Sequence, residues 1–340
     1  MKLSQAERIL IKLINIRQNG MLVSRPGVGK TALVKSLAEK LNMDLIWSHP
    51  SISDPTDYKG MPAIVNGEAH FLPFNDLKAL IKAKRPTICF VDDLGQSPTS
   101  VQAPLMQLLW ERRVNGFRLS DHVVFILATN RAEDKAGVST IIEPLKNRCA
   151  ILQIDFDLEV WCNWALESGV SVDTVAFNRF RRSFMETWSP APKEIKAVPT
   201  PRSVHIWDDL YKIVEEEDVY EACASVVGEA YAIEFSSYLK IRGDLPTWDE
   251  IVKRPDKARL PKKDKDGNYN MGAMYAIATM AGRNVDTDTL MAAVTYMERA
   301  EQPEMIIMML RDAIRRDKNI QMSPEFRRQV IPKYKSILLD

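Results

Sequence analysis

The stretch MLVSRPGVGKTALVKSLAEKL, residues 21–41, narrows the folds open to this chain more than any other. An apolar run, Met21–Val23, enters a turn containing Gly27 and Gly29 and leaves it as a segment with helical periodicity. A buried strand, a glycine turn and a helix in that order are the first half of a crossover unit, which returns the chain to a second strand parallel to the first. The turn follows the pattern G-x-x-x-x-G-K-[ST] except at its first position, where Ser24 stands for glycine. In such a turn Gly27 and Gly29 let backbone N–H groups converge on phosphates, and Lys30 reaches the β and γ oxygens. The Thr31 hydroxyl can ligate Mg²⁺, and the helix starting near Lys30 adds its positive dipole end. Pro26, Gly27, Val28, Gly29, Lys30 and Thr31 are thus the candidate cradle for a nucleoside triphosphate. Ser24 falls at the strand exit, not under the phosphates, where a small residue costs little.

The remainder of the first half repeats the alternation. Strand-like runs occur at 44–48, 87–92, 123–129 and 150–156, with helix-length segments between them, and an amphipathic helix at 3–16 precedes the first strand. The expected fold class is α/β: a parallel sheet flanked by helices. Two segments, AIVNGEAHFL (63–72) and RRVNGFRLS (112–120), place Asn-Gly between strand-like arms and predict hairpins. Beyond residue 157 the strand signals stop, and the pattern predicts helices over 158–168, 173–186, 203–217, 219–241, 271–282, 287–300, 304–317 and 324–339. The expected division is a nucleotide-binding α/β domain at 1–156, a helical lid at 157–245, and a C-terminal helical extension at 246–340 with an exposed charged loop at 253–270.

With 340 residues and 46% hydrophobic content, the chain can bury a sizeable core. Lys plus Arg (46) nearly balance Asp plus Glu (45), so no global field draws it to nucleic acid or to an anionic membrane. The longest apolar runs, such as VVFILA at 123–128, are too short to span a bilayer, and the expected location is the cytoplasm. Cys89, Cys149, Cys162 and Cys223 show no metal-ligand spacing or disulfide framework and read as small buried residues. His49, His70, His122 and His205 likewise show no ligand spacing. The DKDG in the charged loop fails as a calcium loop, because Lys262 and Ala273 would occupy its first and last ligand positions. In FNRFRRSF (177–184), Arg179 and Arg182 between phenylalanines read as the solvated side of a packed helix, and the methionines of PEMIIMMLRDAIRR read as core filling.

Polar residues at the strand ends complete the chemistry. ICFVDD ends an apolar strand with two carboxylates, Asp92 placed to hold the magnesium shell and Asp93 to polarise an attacking water. FILATN ends at Asn130, which would lie beside the γ-phosphate if its strand neighbours both the cradle strand and the Asp92 strand. Arg148 follows a short helix just before the last strand, on the domain edge, where a lone Arg often only compensates a helix dipole. Arg202 sits in the first turn of a helix, against the dipole, a conflict that a phosphate would resolve.

In order and spacing this set resembles the AAA+ ATPases, and within them the MoxR-like group, over residues 18–210. SDPTDYKGMP (53–62), SVQAPLMQLLWERRV (100–114) and PLKNRC (144–149) contribute to the likeness. The resemblance implies that Gly27–Thr31 are the P-loop, Asp92 and Asp93 Walker B, Asn130 sensor 1, Arg148 the arginine finger and Arg202 sensor 2. It places the hairpins where the group carries its helix-2 insert and pre-sensor-1 hairpin. It further implies ATP and Mg²⁺ as cofactors, a hexameric ring of identical chains, and remodelling of protein partners, commonly ones with a von Willebrand factor A domain. One departure stands out: the second Walker B acid, usually Glu, is here Asp93, one methylene shorter. A slow nucleotide-gated scaffold is therefore one alternative, and a DNA-directed AAA+ motor or loader, using a basic pore, is another.

Overall fold

The computed structural model describes residues 1–134, 141–187 and 196–338. They form two compact units, the first Met1–Phe156 and the second from Asp157 onward. The first contains strands β1 (Gly20–Ser24), β2 (Asp44–Ser48), β3 (Met61–Val65), β4 (Glu68–Leu72), β5 (Thr87–Val91), β6 (Arg113–Val114), β7 (Phe117–Arg118), β8 (Val123–Asn130) and β9 (Ala150–Gln153). Its α-helices are α1 (Leu3–Asn15), α2 (Lys30–Lys40), α3 (Pro55–Lys59), α4 (Asn75–Lys82), α5 (Thr99–Glu111) and α6 (Glu143–Lys146). Five strands form one sheet in the order β2-β5-β8-β1-β9, and every neighbouring pair is parallel. The α/β fold read from the sequence is therefore the observed one.

Successive side chains of a strand point to opposite faces, so each strand feeds two cores. Leu22, Ile88, Phe90, Ile126 and Ala128 meet Ala6 and Leu10 of α1 and Leu33, Val34 and Leu37 of α2. Met21, Cys89, Val91, Phe125 and Leu127 meet Leu77 and Leu80 of α4 and Leu105 and Leu108 of α5. That two-sided burial explains why β5 and β8 read as continuous apolar runs rather than alternating ones. Cys89 is one of these core residues; burial holds its thiol well above the ordinary range, and pushes Cys149 and Cys223 up to about 12.

Both Asn-Gly segments are two-residue hairpin turns, one joining β3 to β4 and the other β6 to β7. Asn66 and Gly67 have φ of 54° and 85°, Asn115 and Gly116 46° and 85°, the left-handed values that this turn requires. The first hairpin is largely exposed and carries Met61, Ile64, Val65 and Leu72 into solvent. Asn115 at the tip of the second donates its Nδ2 to the Lys59 carbonyl at 2.7 Å, at the foot of the first.

The second unit is helical: α7 (Leu158–Glu167), α8 (Val172–Phe180), α9 (Ser183–Glu186), α10 (Pro201–Tyr211), α11 (Val219–Val227), α12 (Glu229–Arg242), α13 (Trp248–Lys253), α14 (Met271–Asn284), α15 (Leu290–Glu298), α16 (Pro303–Arg316) and α17 (Ile331–Leu338). Helices α14, α15 and α16 share a core in which Met305 and Met309 are buried. Three helices predicted as continuous are broken, 203–217 among them, because α10 ends at Tyr211. The segment 173–186 turns at Arg181 and Arg182, and 219–241 breaks at Gly228, whose φ of 91° and close approach to the Ala197 carbonyl leave no room for a Cβ.

Arg179 corrects the expectation of a solvated face: it is 1% exposed. Because α8 is packed against α14, a cation there must bring its counter-charge inside. Arg179 does so with Asp312 of α16, at 2.6 Å from Nη1 and 2.9 Å from Nη2. In the charged loop residues 262–268 are exposed, and a single bridge between Lys263 and Tyr269 closes the turn around Asp264 and Gly267. No helix among the described residues is long and apolar enough to cross a membrane, and no metal-ligating group of three His, Cys, Asp or Glu occurs among them.

Candidate nucleotide site

In an open parallel sheet, ligands meet the carboxyl ends of the strands, because the loops leaving those ends carry functional groups over one rim. Here β8 lies between β1 and β5, with Ser24 paired to Asn130 and Val91 to Leu127. The cradle, Asn130 and the Asp92–Asp93 pair therefore leave adjacent strands at the same end of the sheet.

Lys30, the first residue of α2, is 8% exposed. Its Nζ donates to Asn130 Oδ1 at 2.9 Å, to Ser24 Oγ at 3.0 Å and to the Ser24 carbonyl at 3.4 Å. Ser24 Oγ in turn donates to the Arg25 carbonyl at 2.9 Å. The sequence reading had given Ser24 no part in the site. The structure makes its hydroxyl an acceptor for the cradle lysine, a contact glycine could not make; the departure from the glycine pattern was the available signal.

Thr31 Oγ1 donates to Asp92 Oδ2 at 3.0 Å, and Asp92 Oδ1 accepts from the Asp93 amide at 3.0 Å. The Asp92 amide is tied to the Ser48 carbonyl on β2, so the carboxylate is aimed by backbone on both sides. Asp93 takes φ 52°, a left-handed value that aspartate tolerates better than most residues, and heads the short turn Leu94–Gln96. Asp134, which no motif singled out, is buried just after Asn130; burial pushes its carboxyl above the usual range, opposed by the charges of Arg131 and Lys30.

The cradle is shaped for an anion. Gly27 and Gly29 have φ of 80° and 101°, and no heavy atom lies within 4 Å of where a Gly29 Cβ would stand. Helix α2 starts with no side-chain cap and no acid in its first turn, so its leading N–H groups are left for a ligand. Pro26 and Val28 complete the turn, Val28 packing on the α1–α2 core. Beside this concavity, Thr31 and Asp92 present hydroxyl and carboxylate oxygens, the hard donors that suit Mg²⁺.

Of the remaining two candidates, Arg148 lies outside this cluster and Arg202 belongs to the other unit. Arg148 follows α6 and precedes β9, whose first residue, Ala150, pairs with Gly20. Gly20 is the start of β1 and Ser24 its end, so Arg148 sits at the opposite end of the sheet from its own cradle, the ends being about 13 Å apart at ~3.3 Å per residue. Arg202 belongs to the helical unit: it is exposed in the first turn of α10, next to the Thr200–Ser203 capping box, with no hydrogen-bond or ion-pair partner among the described residues.

Residues 21–154 match the AAA family, the ATPase family associated with various cellular activities. No curated protein matches the chain significantly. Among solved structures, the RuvB Holliday junction branch migration motor of Thermotoga maritima shares 16% identity, the match covering 88% of this chain and 86% of the motor, with a TM-score of 0.39. A single-residue variant of that motor shares 14% identity over 88% of this chain and 89% of its own, with a TM-score of 0.41. A candidate ATPase of Cytophaga hutchinsonii shares 16% over 66% and 81%, with a TM-score of 0.33. With the family match spanning β1 to β9 and its cradle intact at the rim of the sheet, residues 21–154 are an AAA ATPase domain, and the chemistry they carry is ATP hydrolysis.

Proposed function

We propose that this chain is a MoxR-like AAA+ ATPase that assembles as a hexameric ring, uses ATP with Mg²⁺, and remodels a protein partner, with proteins bearing a von Willebrand factor A domain as the client class. The observation that carries the reading is the split of the site across the sheet: Lys30, Asn130, Thr31 and Asp92 meet at one end, while Arg148 stands at the other. A cation so placed cannot serve its own cradle and is suited to a neighbour's. The remodelling role rests on the two Asn-Gly hairpins, which fall where the resemblance places the inserts of that group, and on the apolar side chains that the first of them exposes. In this reading 157–245 act as lid and 246–340 as a C-terminal extension.

Thr31 and Asp92 would hold Mg²⁺, which when bound neutralises charge between the β and γ oxygens. Lys30 would exchange Ser24 and Asn130 for phosphate oxygens. That exchange frees the Asn130 amide to hold water with Asp93, whose carboxylate is the acceptor for the water's proton. Arg148 adds a cation from the adjoining chain, and Arg202 would be sensor 2, as the resemblance implies.

Arginine fingers supplied in trans are worth roughly 10³- to 10⁵-fold in rate, so Arg148→Ala should nearly abolish turnover and still bind ATP. Asp93→Asn should do the same by removing the acceptor. Mixed, the two inactive chains should regain turnover, because an intact Asp93 site then adjoins an intact Arg148. Mixed assemblies that form and stay silent would defeat the reading.

A further inference from the structure

A cation meant for a neighbour must be kept outside its own site in a usable pose, and the surroundings of Arg148 are built for that. Its guanidinium lies over the indole of Trp110, 5.2 Å from the ring centre. Nη1 donates to the Pro144 carbonyl at 2.5 Å, and Nε has no hydrogen-bond partner. Trp110 is the last residue but one of α5 and is 66% exposed, whereas Leu108 and Leu109 beside it are buried in the sheet core. A large aromatic left in water at the end of a well-packed helix contributes nothing to that core. A guanidinium stacks through its face and hydrogen-bonds through its edge, so an indole beneath it restrains the side chain and leaves edge donors for an anion.

The two backbones are also tied together. Asn19, just ahead of β1, donates its Nδ2 to the carbonyl of Leu109 at 3.4 Å and to that of Arg148 at 3.3 Å. One amide thus brackets the end of α5 and the start of β9, and sets the distance between the indole and the arginine stem.

We propose that Trp110 is the positioning residue for Arg148: its indole holds the guanidinium flat on the face of the domain opposite the cradle, with edge donors turned toward the nucleotide of a second copy of this chain. The inference rests on the reading of Arg148 as a cation supplied in trans. Neither Trp110 nor Asn19 touches the nucleotide; both act through the arginine.

The test compares Trp110→Ala, Trp110→Phe and Arg148→Ala by ATP titration and by turnover with kcat and KM separated. Trp110→Ala should lower kcat about tenfold, the scale of a partly desolvated cation–π contact, with ATP affinity and KM unchanged. Trp110→Phe should restore most of that loss, because any flat ring can carry the guanidinium. Mixing Trp110→Ala with Asp93→Asn should raise turnover per Trp110→Ala chain, since its intact site can then receive Arg148 from a neighbour with a complete indole. Trp110 is exposed, so its removal leaves the core untouched, and unchanged ATP affinity reports an intact fold. If Arg148→Ala hydrolyses normally, the trans reading falls and this inference with it. If Arg148→Ala is inactive while Trp110→Ala matches the parent protein, or Phe fails to rescue, or mixing leaves turnover per chain unchanged, the positioning role alone is overturned.

Discussion

Lys30 has three N–H donors, and its own chain offers oxygens for all of them: Asn130 Oδ1, Ser24 Oγ and the carbonyls of Ser24 and Arg25. Before it can neutralise a phosphate it must give some of these up, so the serine at the glycine position competes with the ligand. A hydrogen bond to a charged group is worth about 1.5–3 kcal/mol net, which corresponds to roughly tenfold or more in affinity. Ser24→Gly should therefore bind ATP about tenfold more tightly, whereas Lys30→Ala should lose most affinity because no other residue of the cradle is a suitably placed cation. Titration of both variants decides it; weaker binding by Ser24→Gly would show that the hydroxyl supports Lys30 in the bound state instead. The glycines, Lys30 and Thr31 were legible because the pattern is local: eight consecutive residues specify the turn. The part played by Ser24 was not legible, since the geometry of a five-atom lysine stem folding back over its own turn is not written in spacing.

At the scale of elements, local signals were readable and distant partners were not. Both Asn-Gly turns announced their hairpins because a two-residue loop with positive φ at each position needs those residues whatever surrounds it. The segment 173–186 was read as one helix, and Arg179 and Arg182 were assigned to its solvated side. The covering helix comes 133 positions later, with Asp312, and a periodic pattern carries no information about what packs on the far side. Breaking such a buried pair by removing one member leaves an unpaired charge, which costs about 3–5 kcal/mol. Asp312→Ala should lower the stability of the helical unit by that amount, and Arg179→Met combined with Asp312→Leu should recover much of it, as thermal or denaturant unfolding would report. An unchanged midpoint in Asp312→Ala would mean that Glu159, which also lies 3.4 Å from the Arg179 Nε, is a sufficient counter-charge.

For the molecule as a whole, the sheet sets the distance between the cradle and Arg148, the two halves of the site in the proposed reading. Because the cradle leaves one end of β1 and Arg148 enters β9 at the other, hydrolysis should depend on encounter between chains. Turnover per chain should rise with concentration and, on dilution, fall toward the rate of Arg148→Ala, whose own profile should stay flat; sedimentation over the same range would report the assembly. A constant rate per chain through dissociation would place the whole reaction within one chain. The place of Arg148 follows from strand order, since a residue just before a parallel strand must lie at the end opposite that strand's exit loop. The same order bears on how the molecule comes into being. β1 precedes the other strands of its sheet in the chain, yet both of its partners, β8 and β9, lie within residues 123–153. Until that segment emerges, β1 has two bare edges, β5 has only β2 beside it, and Lys30 lacks Asn130. The nucleotide site is thus completed only once β8 has emerged, well after its own cradle, and a chain interrupted before residue 123 would present open, apolar strands rather than a partial enzyme.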